Sequence, residues 1–238
     1  MNPFAISLAY KYVALLLMLG EVNFFASKTG LNSGRPFAEA EVREGSHVGP
    51  PKTNDFSGSI LTDKYFFGFG WGHLANFHRN DFRSDSDATV RERNSRLSKL
   101  SSLIDTNGAY QLATNWLGEM GVDLAALHTK YKLNILQWRS RPEQFGEAPV
   151  MLPVYQVEWR GSPFPTKKER QMAVVTVTVL GTTKELVEYH LLDDSLFLRP
   201  RLKVPNPEKL LSMSDSDFRA LDPLQRSNLV SEPKPSGP

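Results

Sequence analysis

The chain contains no cysteine. This excludes disulfides, thiolate metal sites, cysteine nucleophiles and a lipid-modified cysteine, while leaving the redox compartment open. Charge imbalance is also missing. The 28 basic and 26 acidic side chains leave a formal charge of +2, so no global field points to a polyanionic partner. No Walker-type G-K-[ST] ending occurs, and no internal repeat is visible at a fixed period. What is present is a chain of 238 residues, 40% apolar and 11% aromatic, enough to build a real core in one domain with or without extended ends.

The N-terminus carries a targeting signal of a kind. Lys11 precedes YVALLLMLG, Tyr12 to Gly20, an uncharged run of nine residues closed by Glu21. That length suits the apolar core of a secretory signal and falls short of the roughly 20 residues a bilayer span needs. Phe24, Phe25, Ala26 and Ser27 follow without a small-x-small cleavage pattern. The expectation is a signal peptide or short anchor over 1–27, the competing reading a buried amphipathic helix. Residues 28–58 hold Gly, Pro, Ser and Asn with scattered charge and no sustained period, which predicts a flexible linker. The folded part is expected over 60–225 as a single α+β domain, with a disordered proline-rich tail over 226–238.

YFFGFGWGH, Tyr65 to His73, places aromatics at every second position and glycines between them. The dinucleotide fingerprint G-x-G-x-x-G fails, because His73 stands where its third glycine belongs. Period two is a strand with one aromatic and one nearly bare face. The bare face suits close approach of another backbone or a bend. The aromatic face is a core wall first, a stacking platform second.

Helical spacing follows. Val90, Leu97, Leu100 and Ile104 suggest a helix within 88–105. Ala109, Leu112, Ala113, Trp116, Leu117 and Met120 form a clear amphipathic stripe, capped by Asp105, Thr106 or Asn107 and ended at Gly121. LAALHTKY is a shorter helix after Asp123. KLNILQWR, VMLPVYQVEWRG, QMAVVTVTVL and ELVEYHLL then read as strands, three of them alternating apolar with polar side chains. Asn206 and Pro207 start a short terminal helix. The fold class expected is α+β: an antiparallel sheet of about four strands with helices packed on one face.

Chemistry-bearing clusters are sparse. His73, His78 and Asp81 offer two imidazoles and a carboxylate, but H-x4-H is not the i, i+4 pair that shares a helical face, so loop histidines are the simpler reading. Asp193 and Asp194 follow a strand with nothing to complete a calcium loop. Asp215 and Asp217 suit a helix N-terminus. Ser195 lacks a nucleophile-elbow context. Arg79, Arg83, Arg91, Arg93, Arg96 and Lys99 lie near Phe77 and Phe82, as in single-strand binders, but interleaved Asp81, Asp85, Asp87 and Glu92 favour a mixed solvated surface.

Residues 105–192 resemble PepSY-like domains, within the wider group of helix-on-meander folds that includes cystatin-like proteins. AYQLATNWL stands for the packed helix, VYQV for the Tyr-x-Val strand, and LGTTKELVEY for the glycine-turned hairpin. The usual V-D-x-x-T-G-E-V turn is matched only loosely. The resemblance implies an exported or cell-envelope module that binds or inhibits protein partners, with no catalytic residues or cofactor of its own.

The expected function is therefore a secreted or periplasmic, non-enzymatic module that binds a protein or peptide, without nucleic acid, and touching membrane only through an uncleaved N-terminal segment. The expected binding surface is the polar sheet face, Gln156, Glu158, Thr176, Thr178, Glu188 and His190, with Trp71 as an exposed ring, or a free sheet edge that accepts a strand. No catalytic, metal or cofactor residue is expected. The alternative is a glycan- or metal-dependent hydrolase built on the 65–81 region, with Phe67, Phe69 and Trp71 as its platform.

Overall fold

The computed structural model describes residues 6–49, 57–83, 87–140, 149–162 and 172–230. The chain enters as a long helix, α1 (Leu8–Thr29). Four strands follow: β1 (His47–Val48), β2 (Gly58–Leu61), β3 (Tyr65–Gly70) and β4 (His73–Arg79). Helices α2 (Asp87–Leu97), α3 (Thr106–Glu119) and α4 (Leu124–Lys130) lead to β5 (Lys132–Arg139), β6 (Met151–Gly161), β7 (Met172–Leu180) and β8 (Glu185–Leu191). Three short helices close the chain: α5 (Pro207–Ser212), α6 (Asp215–Ala220) and α7 (Pro223–Asn228).

All eight strands belong to one antiparallel sheet in the order β1-β2-β3-β4-β8-β7-β6-β5. The order reads as two meanders joined by their last strands, each meander preceded by a long helix. α1 leads the first and α3 the second. This is a repeat of topology that leaves no trace as a sequence period.

One row of side chains crosses seven strands on the helix-covered face. Ile60, Phe67, Phe77, Tyr189, Val177, Val157 and Ile135 stand opposite one another in turn. α1 lies over one half of this row. Its Phe25 ring packs against Phe67, Phe77 and Tyr189 at centroid distances of 6.3, 5.3 and 6.0 Å. α3 lies over the other half through Ala109, Ala113, Trp116 and Leu117, all buried. Trp159 is fully buried beneath it and donates its indole N–H to His128 Nδ1 at 3.3 Å, so its one polar atom is satisfied. Each large side chain sealed this way contributes roughly 1.5–3 kcal/mol of transfer free energy.

Local chemistry sets the element ends. Ser7 caps α1, Asp105 caps α3 and Asp123 caps α4, each side chain accepting a backbone N–H of the first turn. The β3–β4 hairpin turns on Trp71 and Gly72, both left-handed at φ 52° and 74°. A Cβ on Gly72 would lie 2.8 Å from the Leu202 carbonyl oxygen, so the returning chain passes too close for any side chain there. Pro153 falls where the β5–β6 register slips.

Three expectations are corrected. The class is α+β, but the sheet has eight strands rather than about four. The four short strands before residue 80 extend it through β4, which pairs with β8 at Asn76–His190, Phe77–Tyr189 and His78–Glu188. Helices also occupy both faces. Leu97 of α2 clusters with Val154, whereas α3 clusters with its neighbour Tyr155, and adjacent strand residues point oppositely. Finally, the folded body begins before residue 60. α1 buries Val13, Met18, Val22 and Phe25, and the stretch expected as linker supplies buried Leu31 and Phe37 and the edge strand β1. The tail beyond Val230 lies outside the described residues; α7 occupies the first part of the span expected as tail.

The C-terminal segment returns to α1. Arg199 makes a two-pronged bond to Glu21 at 2.8 and 2.9 Å and lies over the Phe24 ring at 3.8 Å. Ser7 Oγ donates to the Leu210 carbonyl, and Phe218 packs against Tyr12.

Candidate functional site

The face opposite α1 and α3 is polar because the alternation that fills the core row leaves polar residues between. Two rows result. Leu136, Gln156, Thr178, Glu188, His78 and Phe66 form one; Asn134, Glu158, Thr176, His190, Asn76 and Gly68 form the other. The six polar residues expected to form a binding face thus share one face, and the β4–β8 junction adds Asn76 and His78 to it.

The face is not uniformly open. Thr178 is 0% exposed, and Glu158 and Thr176 are buried. On the β5–β6 side the polar groups satisfy one another. Trp138 Nε1 donates to Gln156 Oε1 at 2.9 Å, and Gln156 Nε2 donates to Glu158 Oε1 at 2.6 Å. Glu158 Oε2 accepts from Arg160 at 2.8 Å and from Asn134 at 3.3 Å. A carboxylate so fully supplied with donors holds strands together and has little left for a ligand.

Toward the β4–β8 junction the face opens into a cavity of about 280 Å³. Asn76 and His78 from the first meander and Glu188 and His190 from the second form its floor. Phe82, Trp138 and Val187 make the walls, and Arg83 stands at the rim. The walls are braced from α2. Arg93 lies over the Phe82 ring at 5.2 Å and the Trp138 ring at 5.8 Å, and its Nη1 donates to the Phe82 carbonyl at 2.7 Å. Phe66 stacks on His78 with centroids 4.7 Å apart, fixing the imidazole plane. Gly68 makes room for that ring, since a Cβ there would lie 3.0 Å from Phe66.

The floor has unusual protonation. Burial, aided by the Arg83 charge, pushes His78 down to about 4. The same two causes lower His190. Burial raises the Glu188 carboxyl above its ordinary value, against a 3.4 Å hydrogen bond from Thr178 and the charge of Arg83. At neutral pH the cavity therefore presents two neutral imidazoles, a carboxyl shifted toward its protonated form, and one guanidinium.

The other sequence candidates disperse. His73 is buried and stacked on Phe197 at 4.0 Å, His78 lies on the polar face, and Asp81 is held by Arg79 at 2.9 and 3.1 Å. Among the described residues no group of three His, Asp or Glu side chains is placed to hold a metal ion. Phe67 and Phe69 are core, and Trp71 is 40% exposed at a hairpin tip outside the cavity lining. Asp193 accepts from the Tyr131 hydroxyl and from Ser195, and Asp194 pairs with Arg201. Arg79 is tied to Asp81 and Glu185, and Arg93 to the aromatic wall, so two of the clustered arginines serve structural tasks.

The strand alternation puts Glu188 and His190 on the polar face, but no sequence signal brings Asn76, Phe82, Arg83 and Trp138 beside them. His78 was noticed for a metal site rather than for this floor. The indole and phenyl walls come from a strand end and a loop, and no local period marks them. A second, larger groove of about 570 Å³ runs beside α1 between Tyr12, Leu15, Val48 and Phe218, but its lining is largely apolar. No family model, curated protein or solved structure matches the chain.

Proposed function

We propose that the protein is a non-enzymatic binding module for a protein or peptide, and that it engages its partner at the cavity on the polar sheet face. One observation carries this reading. Polar side chains from both meanders converge on a half-open cavity, while their neighbours on β5 and β6 are already bonded to each other. Concave sites with an apolar wall and a few convergent polar groups are where ligands bind. The PepSY-like resemblance of 105–192 points to the same class of role. The hydrolase alternative loses support because His73, His78 and Asp81 do not meet.

We also propose a cell-envelope or secreted location, resting on α1. By length and composition this helix is able to cross a membrane, and a core helix passes the same measure. Intact mass of the native protein tests this: loss of about the first 26 residues is the expected mark of export, and a native protein that keeps them, recovered only from the cell interior, is the opposing result.

Peptide-library selection on the immobilised full chain tests the binding role. Selected peptides are expected to bind the wild type and to weaken at least tenfold on His190→Arg/Glu188→Arg, with unchanged circular dichroism. Failure to enrich any peptide, or equal binding to both proteins, sinks the proposal.

A further inference from the structure

Most cations near the cavity are committed. Arg79 holds Asp81 and Glu185, Arg160 holds Glu158, and Arg93 is spread over two rings and a carbonyl. Arg83 differs. It is exposed at the rim, and no carboxylate among the described residues lies within ion-pairing distance of it. Among the described residues its one hydrogen bond runs from Nη1 to His78 Nδ1 at 3.2 Å. A guanidinium has five N–H groups and accepts nothing, so His78 Nδ1 must be the acceptor. The imidazole proton of neutral His78 therefore sits on Nε2. That N–H has no partner among the described residues, and Phe66 holds its ring in plane. The side chains of Asn76 and His190 likewise make no hydrogen bond to another described residue. The cavity thus offers a guanidinium with N–H groups left over beyond its bond to His78, an imidazole N–H and a carboxamide, beside the walls of Trp138 and Phe82.

We propose that this cavity binds a carboxylate carried on an aromatic body, the carboxylate pairing with Arg83 and the ring lying against Trp138 and Phe82. The geometry suits it. A guanidinium matches a planar carboxylate in a two-pronged bond, and charge-assisted bonds of this kind are about twice as strong as neutral ones. The volume, about 280 Å³, lies near the lower end of ligand cavities, roughly 300–1,000 Å³. It admits one aromatic residue or a molecule of that size. Glu188 is the floor group that would repel an anion. The charged and titratable groups facing Glu188 are Arg83 at the rim, His78 on β4 and His190 on its own strand, while Thr178 on β7 donates to it. Ionisation of Glu188 adds a like charge to the floor, so affinity for an ionised carboxylate falls as pH rises through that titration.

The inference rests on the binding role proposed above and names the chemistry its site takes. Two sources carry that chemistry, a free aryl carboxylate and the last residue of a peptide. Titration of the full chain, followed by Trp138 fluorescence, compares phenylacetate, a tetrapeptide ending in phenylalanine, and the same tetrapeptide amidated. The expected result is saturable binding of one or both free carboxylates, at least tenfold weaker binding of the amide, and at least tenfold loss in Arg83→Gln, with partial rescue in Arg83→Lys. Tighter binding of the tetrapeptide than of phenylacetate assigns the site to a chain end, and the reverse to a small molecule. Arg83 is exposed, so neither variant threatens the fold. Equal binding of acid and amide, or indifference to Arg83→Gln, overturns the carboxylate anchor, and library peptides that still lose binding on His190→Arg/Glu188→Arg would leave the broader reading standing. Absence of binding by all three probes up to 10 mM overturns the anchor as well.

Discussion

Tyr189 lies at the centre of the core row, and its hydroxyl is buried with no hydrogen-bond partner. Burial also pushes its ionisation upward, with the Glu21 charge acting the same way. An unsatisfied buried hydroxyl costs about 1–3 kcal/mol. Tyr189→Phe should therefore stabilise the protein by about 1 kcal/mol in urea unfolding, with unchanged circular dichroism. Glu188 makes a related prediction on the other face. Its folded-state pKa is raised, so the folded protein keeps a proton that the unfolded chain loses as pH rises above its ordinary 4.5. The charge costs stability once pH has passed the folded value, and Glu188→Gln should raise the melting temperature at pH 7 and lose that advantage near pH 4. His78 works in the opposite sense. With its folded value about 4 against an ordinary 6.5, stability is full above 6.5 and declines as pH falls toward 4. His78→Phe should flatten that decline in a pH series of melting temperatures. Glu188 and His190 were legible because a strand that alternates shows its polar side. Asn76 and His78 were not, because their place is set by pairing with residues far along the chain.

At the scale of elements, the stripe from Ala109 to Met120 and the four later strands follow directly from their periods, and the helix and strands stand where those periods put them. β2 and β4 escaped for a physical reason. GSIL is too short to show a period, and HLANFHR breaks alternation where a register shift falls in the β3–β4 pair. α1 was ambiguous because a signal core and a buried helix draw on the same residues. Nothing local reports what the apolar surface meets. In the fold Phe25 is 1% exposed and touches three rings of the sheet. Phe25→Ala should cost about 3–5 kcal/mol, measured by chemical denaturation. A helix whose only duty was targeting would make the same substitution neutral.

At the scale of the molecule, each meander carries its own long helix, and the cavity belongs to neither alone. Asn76 and His78 come from one, Glu188 and His190 from the other. The longest-range pairing in the sheet was invisible in the sequence because antiparallel partners share no motif; what they share is an edge. β5 shows that such edges are guarded. It ends the sheet with Lys132 and Arg139 at its two tips, which set like charges opposite each other if two copies paired antiparallel in register.

Among the described residues the strand pairing between the two meanders covers only 76–78 against 188–190, whereas β6 and β7 run paired from Val154 to Gly161. So short a join is a fault line along which the body should breathe before it melts. Deuterium uptake at Phe77 and Tyr189 is expected to outpace that at Val157 and Val177 despite equal burial. Any guest resting on that floor would act as a rivet, slowing uptake on both sides of the crack at once.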